Sequence, residues 1–307
     1  MPLWFLLSLA AGSLQTARNA LARTLTGHVT PAVNVWARFA FNLPFSALLA
    51  LALSAGRGAP VTNARFLWLC LLTAVTQVIG YGSLVLAFER ANFAQSIVLH
   101  KFEVVFTALI GALFFAEQPN TLGWLGVFAT ALGVLAMNFA RDSGPAGWRR
   151  AVHLDAGALL SLNCGLFFVF TSFALKAAIV ELAALNPRVG TGRFEVSAHT
   201  VFHVAWMQVA LTSGAILGTR ARDLLVVRRQ WRRMALIGLA GFGGSLCWFW
   251  AYSLTLVAYV KAVGQVESVL AVLFALFLWK EEEVRRQLGG IALVVAGIVL
   301  VLLGAQF

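Results

Sequence analysis

Lys101 and Glu103 lie inside one long apolar run of this 307-residue chain, and Glu267 lies inside another. An ionised side chain near the middle of a bilayer costs about 2.5–3.5 kcal/mol, so Lys101, Glu103, Glu267 and Arg38 would together cost roughly 10 kcal/mol if they faced lipid. These groups must therefore face one another, water or a polar interior. On a helix His100, Glu103 and Thr107 follow the i, i+3, i+7 spacing of one face, whereas Lys101 lies about 100° round from His100 and needs a partner elsewhere. Carboxylates held in this way can receive a solute or a coupling ion, and proton uptake and release by one of them could couple to solute movement. A fixed polar network is the competing reading, with Glu103 neutralising His100 or Lys101 and Glu267 bonding Gln265 or Lys261.

Further side chains could line such a site. Trp36 and Arg38 share one apolar run, and with Trp206, Trp248, Trp250 and Tyr252 they would suit a planar or apolar organic solute. Gln77 and Tyr81 stand at i, i+4, and Asn163, Gln15, Arg18, Asn19 and Gln208 could add hydrogen bonds, although bonding between helices is their simpler role. His199 and His203 have the i, i+4 spacing of a metal pair but no third ligand on the same helix, so no metal is expected. Cys70, Cys164 and Cys247 fall in different runs without paired spacing and read as packing residues. No phosphate-binding loop or cofactor motif is present, so no cofactor is expected and any driving energy would come from a gradient. An enzyme acting within the membrane would need a nucleophile or metal constellation that these residues do not supply. An uncoupled facilitator or channel would use the same residues and is the main alternative to a coupled carrier.

The elements that position these residues follow from hydropathy. Sixty per cent of the residues are hydrophobic, 11% are charged and the mean hydropathy is +0.85, where a soluble domain carries roughly 25% charged residues. Continuous apolar runs predict spans at about 3–22, 32–53, 66–88, 93–116, 120–140, 154–175, 198–218, 234–254, 260–279 and 286–305. Because the runs are not alternating, helices rather than strands are expected. The segment Lys101 to Gly133 superposes without a gap on Gln265 to Gly297 at an offset of 164. That register pairs Glu103 with Glu267, Glu117 with Glu281, Gly126 with Gly290 and Gly133 with Gly297. Leu6-Leu7-Ser8-Leu9 with Gly12 matches Leu159-Leu160-Ser161-Leu162 with Gly165 at an offset of 153, the difference being read as a longer loop around Glu181 to Val196.

The expected fold is an all-α integral membrane protein of ten transmembrane helices in two five-helix repeats, 1–140 and 154–307, joined by a linker at 141–153. An odd number of spans per repeat inverts the second copy relative to the first. Gly123, Gly126, Gly133, Gly238, Gly241, Gly243, Gly244, Gly289, Gly290 and Gly297 are expected where helices approach closely. Fifteen basic residues fall in the connections on one side and six on the other, which would put both termini outside the cytoplasm. The net charge of +11 is thus explained by short clusters at span ends rather than by a nucleic-acid surface. Trp4, Trp68, Trp124, Trp148, Trp231 and Trp279, near span ends, read as interfacial anchors. The start Met1-Pro2-Leu3-Trp4-Phe5 lacks the basic residues of a removed signal peptide.

Each repeat closes on a recognisable motif, Phe114-Phe115-Ala116-Glu117-Gln118-Pro119-Asn120 before the Gly-rich Leu122 to Ala136, and Phe277-Leu278-Trp279-Lys280-Glu281 before Leu288-Gly289-Gly290 through Gly297. With Trp36-Ala37-Arg38-Phe39 in the second span, the chain resembles the EamA-type transporters of the drug/metabolite transporter superfamily. The resemblance implies a secondary transporter in the cell inner membrane, an exporter of small organic metabolites or drugs working by alternating access, for which a monomer would suffice. It also implies cytoplasmic termini, against the charge count. Val104 and Ser268 stand where many members carry a proline just inside the fourth and ninth helices. The expected partners are a small organic solute, the lipid bilayer and protons, and no nucleic acid.

Overall fold

Backbone groups facing lipid must bond within their own segment, which makes helices of these apolar runs. The computed structural model describes residues 1–25, 28–55, 58–90, 100–141, 156–187, 193–270 and 287–306. Its helices are α1 Leu3–Arg23, α2 Pro31–Ala40, α3 Leu43–Ser54, α4 Ala64–Arg90, α5 Glu103–Phe114, α6 Thr121–Arg141, α7 Ala156–Leu185, α8 Arg193–Arg220, α9 Val227–Leu254, α10 Val257–Gly264 and α11 Leu288–Gly304, with a 3₁₀ helix at Ala221–Val226. Among the described residues five stretches are long and apolar enough to cross a membrane: Pro31–Ser54, Ala64–Leu84, Ala156–Leu185, Arg193–Gly218 and Ala221–Leu254. Glu103–Phe114, Thr121–Met137 and Leu288–Gly304 are shorter apolar helices. Residues 142–153 of the expected linker, with Trp148, Trp279 and Glu281, lie outside the described residues.

Several expectations change. The stretch 181–196, expected as a loop, is helical to Leu185 and again from Arg193. The second span is two helices: Pro44 has no N–H to offer the carbonyl of Ala40, so α2 stops there and the chain restarts as α3. Trp4, expected at the interface, is buried against Phe5 and Tyr259. Gly289, expected at a close helix contact, has nothing within 4 Å of where a Cβ would stand.

The described residues form two compact units, one of 1–12, 79–170 and 255–307, the other of 13–78 and 171–254. In the first, α6 and α11 lie side by side and antiparallel. A Cβ on Gly126 would meet the Gly297 carbonyl oxygen at 2.7 Å, and one on Gly133 the Gly290 carbonyl oxygen at 2.8 Å. Exchanging every glycine for its partner in the repeat leaves this set of contacts unchanged. With no hydrophobic drive between helices in lipid, such backbone proximity supplies the packing attraction that joins them. Asn120 ties the same pair at its end, accepting a hydrogen bond from Gly123 N (2.9 Å) as the cap of α6 and donating to the Gly304 carbonyl (2.7 Å) at the end of α11.

The loop between α5 and α6 carries Ala116 at φ 53°, the left-handed position that normally takes glycine, and Glu117 N closes back on the Gly111 carbonyl (3.0 Å). This turn aims the buried Glu117 carboxylate at the first residue of α10, where it accepts a hydrogen bond from Val257 N at 2.7 Å. A carboxylate at a helix N-terminus satisfies an orphan donor and opposes the helix dipole. Glu117→Ala is expected to cost about 0.5–2 kcal/mol, the usual range for losing such a cap, read as a lower melting temperature in detergent without a change of fold.

The second unit is held by a core of Leu25, Val33, Ala37, Met234 and Ile237, with Trp36 and Phe41 packed on it. Gly238 of α9 lies against the backbone of Phe41, where the chain passes from α2 to α3. Asn186 pins Val61 from both sides, its Oδ1 accepting from Val61 N (2.8 Å) and its Nδ2 donating to the Val61 carbonyl (2.9 Å).

Candidate functional site

Among the described residues the first unit leaves helical conformation at the same point of each copy of the repeat. Residues 101–102 and residue 265 leave the helix, and the chain becomes helical again at Glu103 and at 266. Each break is closed by a tighter bond, Val104 N to the Lys101 carbonyl (3.4 Å) and Ser268 N to the Gln265 carbonyl (2.9 Å). These are equivalent bonds in the two copies, and they form without the proline absent from both places. At each break a glycine of another helix lies close to the backbone. A Cβ on Gly12 would stand 2.9 Å from the Gly264 carbonyl oxygen and 3.5 Å from Glu267 N; one on Gly165 would stand 3.2 Å from the His100 carbonyl oxygen and 3.6 Å from Glu103 N. Gly12 and Gly165 are themselves repeat partners.

The charged residues meet at these breaks in a crossed arrangement. Lys101 Nζ donates to Glu267 Oε1, and Lys261 Nζ donates to Glu103 Oε1. His100 Nε2 lies 3.7 Å from Glu103 Oε2, and its Nδ1 lies 3.4 Å from Cys164 Sγ. A neutral imidazole protonated on Nε2 satisfies both contacts. The side chains of His100, Lys101, Glu103, Lys261 and Glu267 are each at least 86% buried. Two lysines against two glutamates leave the cluster neutral, which is what makes four charges tolerable away from water. Phe168 forms one wall: its ring lies edge-on to Tyr81 at 4.8 Å and to His100 at 5.5 Å, with Lys261 Nζ 5.9 Å from its centroid.

His100 faces Glu103 and Lys101 finds a distant partner, as the helix spacing predicts, but the remaining pairings differ from the sequence reading. Glu267 takes Lys101 rather than Gln265 or Lys261, and Glu103 takes Lys261 together with His100. Lys261, which the sequence reading offered as a partner of Glu267 and counted among the six basic residues on the second side, is a buried member of the cluster bonded to Glu103, and Arg18 of α1 is likewise buried. Phe168 and Cys164 carried no site role from the sequence. The signal that could have found Lys261 is a lone cation within the otherwise apolar Val257–Val263.

The EamA-like transporter family model matches residues 2–139 and 155–303. The chain belongs to the EamA-like transporter family. As a member it is a multi-pass membrane protein that transports small solutes. A solved protein crystal structure shares its fold at a TM-score of 0.67 and 16% identity, with 99% of each chain covered. No curated protein matches the chain.

In this EamA-like transporter the other residues singled out from the sequence fall into two groups. Gln265, Tyr81 and Asn163 belong to the unit that holds the ion pairs, Asn163 Nδ2 donating to Ser83 Oγ at 2.9 Å. Trp36, Arg38, Gln77, Trp206 and Trp248 belong to the other unit. There Trp36 Nε1 donates to Ser213 Oγ (2.8 Å), Arg38 and Arg18 both donate to Asn19 Oδ1, Gln208 Nε2 donates to Gln77 Oε1, and Trp248 donates to Gln15 Oε1 (3.3 Å) while stacking on Tyr252. Trp206 is exposed. His203 Nδ1 sits 2.8 Å from the His199 carbonyl, a local bond within α8.

Proposed function

We propose that this EamA-like transporter exports a small organic solute across the cell inner membrane by alternating access, and that the crossed ion pairs at the breaks of the fourth and ninth spans form its solute and coupling site. The observation that carries this reading is the concentration of buried, mutually neutralised charge where each copy of the repeat leaves helical conformation. Discontinuous spans are where secondary transporters bind their substrates and coupling ions, because half-helix ends offer unpaired backbone groups and partial charge. Glu103 and Glu267 each stand in the first turn of the restarted helix, so the helix dipole favours their charge. Displacing a lysine from either carboxylate by a proton would break one pair and leave the other intact, a step that can link solute movement to a proton gradient. The contact pattern of α6 with α11, unchanged when repeat partners are exchanged, supports two inverted halves, 1–140 and 154–307.

The test is transport into proteoliposomes, with a solute panel first and then the best solute at several pH gradients. Glu103→Gln is expected to abolish gradient-driven accumulation, leaving at most downhill flux. Full accumulation with wild-type pH dependence would remove Glu103 from the coupling step. Downhill flux alone from the wild-type protein would favour an uncoupled facilitator using the same residues.

A further inference from the structure

We propose that Gln265 selects the solute: its Oε1 accepts a hydrogen bond from an N–H of a net-neutral solute bound at the ion-pair cluster. The inference rests on that cluster being the solute site. Gln265 is only 6% exposed, and among the described residues its Oε1 has no hydrogen-bond partner. Buried polar atoms are almost always bonded, so an unmet acceptor at a functional site asks for a donor. The hydrogen bonds of the cluster's lysines and of the surrounding backbone go to other acceptors. Lys261 donates to Glu103 and Lys101 to Glu267, while Gln265 N bonds the Ala262 carbonyl and Ser268 N bonds the carbonyl of Gln265 itself.

The repeat sharpens the point, because Gln265 occupies the position of Lys101 in the other copy. Lysine offers only donors, whereas an amide adds an acceptor, so the exchange gives the second copy a function the first lacks. Charge argues for the class of solute. The cluster sums to zero, and a solute with net charge would add an uncompensated ion to a buried site. Phe168 and Tyr81, packed edge to face beside the cluster, suit a solute with a planar ring.

The experiment uses the full-length protein in detergent, with melting temperature followed against increasing benzamide or N,N-dimethylbenzamide. These are neutral ring compounds that differ in having or lacking N–H. Wild type is expected to bind benzamide about fivefold more tightly, the worth of one ordinary hydrogen bond. Gln265→Leu is expected to lose the difference and, without amide, to melt at or above the wild-type temperature, since it removes an unmet acceptor. Equal response of the wild type to the two amides, or none, overturns the proposal. So does a Gln265→Leu variant that still discriminates, or that melts well below wild type. Glu103→Gln separates this from the reading beneath it. Affinity for both amides should change in that variant if the cluster is the site. Unchanged affinities, with discrimination still dependent on Gln265, would sink the role of the ion pairs and leave that of Gln265.

Discussion

Replacing Lys101 with methionine is expected to destabilise the protein by about 3–5 kcal/mol, because it leaves the Glu267 carboxylate buried without its cation. Only 13% of that side chain is exposed, too little for water to replace the lysine. The loss should appear as a melting temperature in detergent many degrees below wild type and as reduced yield from membranes. The double variant Lys101→Met with Glu267→Leu is expected to recover most of the stability, since removing both members of a buried pair is often neutral or favourable. Transport should not return, because the exchangeable pair is gone. A Lys101→Met protein as stable as wild type would mean that Glu267 does not depend on Lys101.

The second large effect is expected at Gly133. A Cβ there would stand 2.6 Å from Val294 N and 2.8 Å from the Gly290 carbonyl oxygen, and these are backbone atoms that cannot rotate away. Gly133→Ala must push α6 and α11 apart along their whole contact, at a cost of about 1–3 kcal/mol or more. Gly133→Leu should prevent stable accumulation in the membrane. Gly289→Ala is the control on the partner helix. It meets nothing, and replacing glycine by alanine in a helix gains up to about 1 kcal/mol. If both alanine variants melt alike, the close approach of the two helices is wrong.

Much of this architecture is legible in the sequence, and the reason is duplication. The offset of 164 that aligns Glu103 with Glu267 also aligns the glycines that hold α6 to α11. Periodicity is enough to show that Lys101 leaves the face of His100 and Glu103 and must find a distant partner. The crossed pairing is not legible, because Lys261 has Ile97 at the corresponding place in the first copy and so breaks the symmetry on which the comparison relies. The helix breaks are hidden for another reason. Local sequence marks a break by proline, which is absent at Val104 and Ser268, whereas here the geometry accompanies backbone contacts from Gly12 and Gly165, far away in the chain. The long connection expected near 181–196 failed because helices can extend beyond their apolar run when polar residues such as Glu181 and Asn186 find partners at the end, here Asn63 and Val61.

The first compact unit draws on the beginning, the middle and the end of the polypeptide. During synthesis α6 leaves the ribosome well over a hundred residues before α11, so its glycine face waits in the bilayer without the surface made to cover it. The same delay holds for Glu103, whose lysine arrives only with residue 261. Insertion machinery or a chaperone has to shelter an unfinished half until the last helix is made, and a chain truncated before Leu288 should be recognised as unassembled and destroyed.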